Sequence, residues 1–172
     1  MDRAGARDPD AFAALVRPHM ARLYRYALRM CGDPDAASDI AQDALLRAFE
    51  RIASYDPARP VLPWLITLVR HAFVDRVRSF DPLRGADEAE GEGPLPSRSD
   101  PVDQASHAET ANAIEGALKE LPVDQRSCVV LYHVEGRSLE EISESEGVPI
   151  GTVKSRLFRG RQALAERLGH LA

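Results

Sequence analysis

Residues 147–168 read GVPIGTVKSRLFRGRQALAERL, a turn-forming segment followed by a basic stretch with helical periodicity. Successive residues of an α-helix lie about 100° apart around its axis, so side chains three and four positions apart share a face. One face of the predicted helix is apolar and consists of Val153, Leu157, Leu164 and Leu168, with Gly160 beside them. Residues 152–168 hold five basic residues and one acidic residue. The stretch therefore predicts a helix that packs on one side and is cationic on the other.

A short helix is predicted directly before this turn, at residues 138–146. Ser138 and Glu141 have the spacing of a capping box, in which the two side chains accept backbone N–H groups at a helix start. Two helices joined by a glycine-containing turn, the second of them basic, form the helix-turn-helix pattern, whose second helix enters the major groove of DNA. The alternative is an ordinary helical hairpin with a solvated charged face.

The outward face of the helix at residues 152–168 carries the side chains that we expect to contact DNA. Short polar groups and one arginine lie opposite the packing face and suit base edges, and cations flank them where phosphates run along the groove. These candidate residues are Thr152, Lys154, Ser155, Arg156, Arg159 and Gln162. Arg159 is assigned to a guanine and Lys154 to a phosphate.

The rest of the chain is also helical in pattern, with no alternating strand motif. Two predicted helices begin with the same capping sequence. Asp8-Pro9 and Asp33-Pro34 each place aspartate at the N-cap and proline at the first helical position. Helices are predicted at residues 9–30, 34–52, 63–79, 106–120, 123–135, 138–146 and 152–168. The fold class is therefore all-α.

An acidic segment divides these helices into two groups. The chain has 172 residues and a formal net charge of −5, and residues 81–109 alone hold eight acidic and two basic residues. Residues 80–105 are also rich in glycine and proline, which predicts a flexible acidic linker. Two small helical domains are expected, at residues 8–79 and 106–170. A plain tether is one interpretation of the linker, and an electrostatic DNA mimic is the other.

Several classes of function are excluded by composition. No apolar run approaches the roughly 20 residues of a membrane span, and the N-terminus lacks the apolar core of a signal peptide. Cys31 and Cys128 stand far apart and outside any metal-binding spacing, so we expect core thiols in a reducing cytoplasm, with redox sensing as the alternative. The five histidines are scattered. We expect no catalytic residues, no metal and no cofactor.

Residues 34–52 predict a helix with a partner surface. Its alanine-rich side should pack inward, while the opposite side mixes acids with exposed apolar residues. That outer face holds Asp39, Gln42, Asp43, Leu46 and Glu50, with Phe49 at its edge. An acidic outer face is commonly only solvated, but leucine and phenylalanine among the acids favour a binding partner.

The helix predicted at residues 63–79 carries a polar stripe. The stripe consists of Thr67, His71, Asp75 and Arg78, with Trp64 on its flank. An indole and cations beside polar groups fit DNA whose bases are exposed and able to stack. The other interpretation of Trp64 is an anchor that fixes the helix to the core.

Four segments together resemble a known family. They are AASDIAQDALLRAFERI at residues 36–52, PWLITLVRHAFVDRVRS at 63–79, LPVDQRSCVVLYHVEGRSLEEIS at 121–143 and GTVKSRLFRGRQAL at 151–164. In content and order they resemble the bacterial extracytoplasmic-function (ECF) sigma factors of RNA polymerase. The resemblance covers nearly the whole chain except the linker. It implies a transcription initiation factor without enzymatic activity, active in the stress response.

The resemblance also implies partners and roles for residues. The first domain would dock on the clamp of the largest subunit of core RNA polymerase through Asp39 and Gln42, with Asp43 and Leu46 beside them. It would melt the −10 promoter element, with Tyr55 in the loop at residues 55–62 that captures a flipped base. The −10 contacts would be Tyr55, Trp64, Thr67, His71, Asp75 and Arg78.

The second domain would read the −35 element as duplex through the helix at residues 152–168. An anti-sigma factor is an expected partner, and no membrane contact by the chain itself is expected. One departure concerns His71, where the family commonly has asparagine; the two interpretations are an altered −10 preference and a contact to a phosphate. The loop at residues 55–62 is also unusually rich in proline, so its base preference is not carried over. A sigma-like protein that only sequesters an anti-sigma factor, and a generic repressor or activator, are the alternatives. The first should have lost the basic outward face, and the second would not need the docking face.

Overall fold

The computed structural model describes residues 8–80 and 107–169, and within those ranges every regular element is a helix. The all-α prediction is confirmed. The eight α-helices are α1 (Pro9–Val16), α2 (Met20–Cys31), α3 (Pro34–Arg51), α4 (Val61–Phe80), α5 (His107–Lys119), α6 (Val123–His133), α7 (Leu139–Glu146) and α8 (Ile150–Leu168). Short 3-10 turns follow α1 at Arg17–His19 and α3 at Ile52–Ser54.

The predicted helix starts at Asp8 and Asp33 are confirmed. The Asp8 carboxylate accepts the backbone N–H of Asp10 at 3.1 Å, and the Asp33 carboxylate accepts that of Ala36 at 2.7 Å. Each bond satisfies a donor that has no partner within the helix. The end of α2 is formed by Gly32, whose φ of 72° lies in the left-handed region that glycine adopts without strain.

Several predicted helix bounds are wrong for reasons of proline chemistry. A single helix was expected at residues 9–30, but Pro18 lacks the N–H needed to continue α1, and the chain passes through a 3-10 turn into α2. Helix α4 begins at Val61, two residues before the predicted start. Pro63 is tolerated inside it because it falls in the first turn, where a backbone N–H has no acceptor within the helix. Helix α8 begins at Ile150, directly after Pro149.

Helices α2, α3 and α4 form the core of the N-terminal half. Leu23, Ile40 and Leu65 are among its almost fully buried side chains. The inward face of α3 consists largely of alanines, which allow the backbones of α2 and α4 to approach closely. The predicted inward alanines are buried, and they are Ala41, Ala44 and Ala48.

Helices α5 to α8 form the C-terminal half, which contains the helix-turn-helix. The capping box of α7 is confirmed, since Glu141 N–H donates to Ser138 Oγ at 3.2 Å and Ser138 N–H donates to Glu141 Oε2 at 2.8 Å. Gly147 ends α7 with a φ of 66°. Helix α8 packs so closely on α6 that a Cβ atom at Gly160 would lie 2.8 Å from Val129 Cγ2. This contact fixes how α8 presents its other face.

The two halves pack against each other, and their buried residues form one continuous cluster. The sequence did not predict this packing. The acidic linker expected at residues 80–105 lies outside the described residues except for Phe80, which ends α4. The idea that its acids mimic DNA therefore concerns residues that the structure does not describe.

Candidate nucleic-acid interface

Helix α8 faces inward with its apolar residues, as its periodicity predicts. Val153, Leu157 and Gly160 are buried, while Lys154 and Arg159 are exposed. Among the other candidate residues, Thr152 and Ser155 are partly exposed and Gln162 is exposed. The Ser155 hydroxyl donates to the Thr152 carbonyl at 2.9 Å, and the Gln162 amide donates to Glu166 Oε1 at 3.3 Å. The structure thus brings five of the six predicted residues to the surface of one basic helix.

Arg156 is the sixth predicted residue, and its guanidinium is turned towards the protein. Its Nη2 lies 2.6 Å from Asp124 Oδ2, and its Nη1 lies 3.6 Å from Glu146 Oε2. Two carboxylates that come from α6 and α7 therefore hold this cation in the described conformation.

Phe158 is a residue of the outward face of α8 that the sequence analysis missed. Its side chain is 69% exposed, although phenylalanine is ordinarily an inward residue. The helical wheel contained the signal, because Phe158 lies three residues after Ser155 and four before Gln162. An exposed aromatic ring between polar groups is able to contact a thymine methyl group in the major groove.

Two predicted aromatic residues meet at the start of α4. The rings of Tyr55 and Trp64 are 5.1 Å apart at an angle of 31°, and the Tyr55 hydroxyl donates to the Arg59 carbonyl at 2.5 Å. Trp64 is partly buried and packs against the core. It is therefore anchored, as one interpretation held, and it also presents an aromatic surface together with Tyr55.

The polar stripe of α4 is largely engaged by neighbouring groups. Arg47 Nη1 lies 2.5 Å from Asp75 Oδ2, and the Thr67 hydroxyl donates to the Pro63 carbonyl at 3.0 Å. His71 lies at the surface, where loss of hydration and the nearby Arg70 cation lower the pKa of its imidazole. Both effects favour the neutral form of His71. Arg78 is exposed near the end of the helix.

The outer face of α3 exposes the predicted docking residues. Asp39 and Gln42 are exposed, Asp43 is partly exposed, and Leu46 is 66% exposed. Arg76 Nη1 lies 3.3 Å from Asp39 Oδ2, and Arg47 Nη2 lies 2.9 Å from Asp43 Oδ2. An exposed leucine between acids is the composition expected of a binding surface.

Phe49 does not belong to that surface. Its ring is partly buried and packs edge-to-face on Phe12 of α1, with centroids 5.2 Å apart. The placement of Phe49 at the edge of the partner face is corrected accordingly, because α1 covers this side of α3. Helical periodicity describes one helix at a time, so it does not reveal that α1 lies beside α3.

Both cysteines are buried free thiols. Burial raises the pKa of Cys31 and raises that of Cys128 to about 12. The thiolate is the reactive form of cysteine, so this environment suppresses redox chemistry and favours the interpretation as core residues.

Residues 8–80 and 107–169 contain no cluster of three or more metal-ligating side chains. In the same part of the chain, no helix has the length and apolar character needed to cross a bilayer.

A basic helix after a short turn, with its polar face outward, defines a DNA-binding protein of the helix-turn-helix class. Two family models match the chain, Sigma-70 region 2 over residues 15–81 and Sigma-70 region 4 over residues 111–164. The ECF RNA polymerase sigma factor SigW of Bacillus subtilis is 36% identical over 172 residues, covering 95% of this chain and 92% of SigW. SigM of Mycobacterium tuberculosis is 36% identical over 166 residues, covering 96% of this chain and 81% of SigM.

Solved structures agree with these matches. The sigma factor RpoE of Bartonella quintana, crystallised with the anti-sigma factor NepR, is 26% identical with a TM-score of 0.70, covering 92% of this chain and 96% of RpoE. CnrH in complex with the cytosolic domain of CnrY has a TM-score of 0.69 at 23% identity, covering 99% of this chain and 96% of CnrH, and supports the fold.

The chain belongs to the ECF sigma factors of RNA polymerase. It is a promoter-specific transcription initiation factor that acts with core RNA polymerase and promoter DNA, and it is not an enzyme.

Proposed function

We propose that the protein directs core RNA polymerase to promoters by reading the −35 element as duplex with α8 and the −10 element as melted strand with α4. The observation that carries this proposal is the outward face of α8, where Lys154, Ser155 and Arg159 are accessible on a basic helix. A recognition helix contacts base edges mainly with its N-terminal residues, and these three lie in its first ten positions.

Two kinds of contact are assigned on α8. The guanidinium of Arg159 is able to donate to guanine O6 and N7 together, whereas the Lys154 ammonium is a point charge suited to a phosphate. Arg159 therefore specifies sequence, and Lys154 contributes to affinity for any duplex. Thr152, Gln162 and Phe158 are the remaining side chains available to base pairs on this face.

The −10 element is assigned to the start of α4 and the loop before it. The paired rings of Tyr55 and Trp64 offer a stacking surface at the protein surface. Extruding a base from the duplex costs a few kcal/mol, and stacking on an aromatic side chain offsets about 1–3 kcal/mol per base. His71 and Arg78 lie along the same helix, where they can contact the strand beyond the flipped base.

Docking on core polymerase is assigned to the outer face of α3. Asp39, Gln42, Asp43 and Leu46 together present acids, an amide and an exposed apolar side chain. The clamp of the largest subunit is the proposed partner. We further propose that residues 8–79 carry docking and melting, and that residues 106–170 carry −35 recognition.

An anti-sigma factor is proposed as a further partner. The related RpoE was crystallised with the anti-sigma factor NepR, and this chain shares its fold over most of its length. The protein is expected to act in the cytoplasm, where bacterial RNA polymerase works.

The proposal is tested with purified protein, core RNA polymerase and fragmented genomic DNA. Sequencing the transcripts should map start sites that share a −10 and a −35 motif and that are absent without the protein. Start sites that share no upstream motif would contradict promoter reading. The same reaction with Arg159→Ala should lose the −35 motif first, while Lys154→Ala should lower the yield at all sites.

A further inference from the structure

The interface between the two halves, called here the interdomain seam, contains many polar contacts. The Tyr26 hydroxyl of α2 lies 3.1 Å from Ser127 Oγ of α6. Arg22 of α2 places its Nε 2.5 Å from Glu135 Oε2 and donates from Nη2 to the Glu135 carbonyl at 3.0 Å. The buried guanidinium of Arg126 donates to the carbonyl of Met30, near the end of α2. Hydrogen bonds and ion pairs thus accompany the apolar cluster that continues across the two units.

The centre of the interdomain seam is a cluster of four charges. Arg70 of α4 places Nη2 3.1 Å from Asp124 Oδ1 and Nε 2.6 Å from Glu146 Oε1. Arg156 of α8 contacts the other oxygens of the same two carboxylates. The four-charge cluster therefore links α4 to α8, the two helices proposed to read DNA, through one shared pair of acids.

Burial makes this cluster sensitive to the loss of a partner. The Glu146 side chain has no exposed area, and the Arg70 side chain is 12% exposed. Burial raises the pKa of Glu146, against the opposing effects of Arg70 and of the hydroxyl of Ser127, which donates to its Oε1 at 2.7 Å. The packed state of the two units is called here the closed arrangement. If Arg70 were absent from it, two acids would face one cation, and a buried charge without full compensation is strongly unfavourable. Separation of the units returns these groups to water.

The closed arrangement conflicts with the proposed function, on which this inference rests. Promoter elements centred at −35 and −10 are separated by about 85 Å of B-form DNA, at roughly 3.4 Å per base pair. In the structure, α4 and α8 each contribute a cation to the same carboxylate of Asp124. The segment at residues 81–106 has a covalent reach of about 90 Å at full extension, so its length permits the two units to separate.

We propose that the four-charge cluster is a latch that keeps the free protein closed, and that opening transfers Arg70 from Glu146 and Asp124 to promoter phosphates. Arg70 directly precedes His71 and follows Thr67 by three residues, so it lies beside the proposed −10 residues of α4, while its guanidinium contacts Asp124 and Glu146 across the interdomain seam. Arg156 stays with both acids inside the C-terminal unit. In the free protein, Asp124 and Glu146 thus bind the Arg70 cation, and after opening the promoter phosphates bind it instead.

The latch is tested by the distance between the two units in the full chain. Fluorophores are attached to Ala14→Cys in α1 and Glu115→Cys in α5, both exposed positions, and energy transfer is measured without DNA. The parent protein with its two buried native thiols serves as the labelling control. We expect mainly the short distance, and Glu146→Gln should raise the ratio of open to closed molecules by about tenfold or more.

The matched control is Glu144→Gln on the same helix. Glu144 pairs with Arg59 across the seam, but both side chains are about two-thirds exposed, and exposed pairs contribute little. Its energy transfer should equal that of the parent. If Glu146→Gln lowers the helix content by circular dichroism, Asp124→Asn provides the same test at the second acid. A mainly long distance in the parent, or a short one in every folded acid variant, would overturn the latch.

The transfer of Arg70 to DNA is tested in the Glu146→Gln background. Binding of a melted −10 oligonucleotide is titrated at several salt concentrations, with and without Arg70→Gln. Loss of one phosphate contact should lower the salt slope by about 0.7, the value for single strands. An unchanged slope would contradict the transfer. A parent protein that initiates at no specific promoter while its distances behave as expected would refute the proposed function but not the latch.

Discussion

Helices α8 and α4 are both proposed to read DNA, but the structure presents them differently. The outward face of α8 is accessible, with Lys154 and Arg159 exposed on a helix that packs through Leu157 and Gly160. Helix α4 is only partly accessible, because His71 and Arg78 are exposed while Asp75 pairs with Arg47 and Arg70 is held by two acids. The difference teaches that the face proposed to read duplex DNA is accessible on α8, whereas the helix proposed to read the melted strand has one of its cations, Arg70, held by the C-terminal unit.

The largest effect is expected from the docking face, which serves neither reading helix. Replacing Asp39 and Gln42 together by arginine should abolish binding to core polymerase, because it reverses the charge around the exposed Leu46. Duplex binding by α8 should stay intact. Core affinity measured by fluorescence anisotropy checks the first expectation, and a −35 duplex titration of the same variant checks the second. Unchanged core affinity would remove α3 from the docking assignment.

A second variant disturbs only the position of α8. In Gly160→Ala, the new Cβ would meet Val129 Cγ2 at 2.8 Å, and overpacking of this kind costs about 1–3 kcal/mol of unfolding free energy. Gly116→Ala in α5 is the control, since no atom lies within 4 Å of its Cβ position. Gly116→Ala should stabilise the protein by about 0.5–1 kcal/mol, because glycine loses more conformational entropy than alanine when it is fixed inside a helix. The free energies of unfolding of both variants are measured by urea titration. Equal values would contradict the tight contact between α6 and α8.

A third variant affects only the strand reader. Tyr55→Ala should weaken binding of a melted −10 oligonucleotide by about 1–3 kcal/mol, the usual contribution of one base stacked on an aromatic ring. Tyr55→Phe retains the ring and should bind like the parent. Neither change should alter duplex binding by α8. If Tyr55→Ala bound the oligonucleotide with parental affinity, the ring pair with Trp64 would be structural only.

The smallest effect is expected at the cysteines. Because burial raises the pKa of Cys128 to about 12, almost none of this thiol is ionised at pH 8, and burial also raises the pKa of Cys31, which disfavours its thiolate. Native protein treated with iodoacetamide should show no added mass at either residue, whereas protein in denaturant should gain two adducts. Rapid native modification at either cysteine would restore redox sensing as a candidate property.

The sequence predicted α8 well because its fold and its surface follow from local periodicity. Val153 and Leu157 face inward and Arg159 faces outward, since a helix with one apolar side has one way to pack. The N-caps at Asp8 and Asp33 were predictable for the same reason, because a cap involves neighbours along the chain.

The interdomain contacts could not be predicted in this way. Arg70 and Glu146 are 76 positions apart, and nothing in local pattern distinguishes a cation that binds DNA from one that binds a distant acid. Arg156 shows the same limit, since its wheel position predicts a groove wall and the structure places it on Asp124. Phe158 was not assigned to either face of the helix, because the outward face was defined by its polar residues alone.

The central claim is that α8 reads base pairs with Arg159 and binds phosphates with Lys154. Each alanine variant is titrated against the preferred −35 duplex and its single-base substitutions at several salt concentrations. Arg159→Ala should lose about 1–3 kcal/mol on the preferred duplex and relax discrimination at one position, whereas Lys154→Ala should weaken all duplexes alike and lower the salt slope by about one. If Arg159→Ala weakened every duplex equally, α8 would lie on the backbone, and the assignment of its reading face would be wrong.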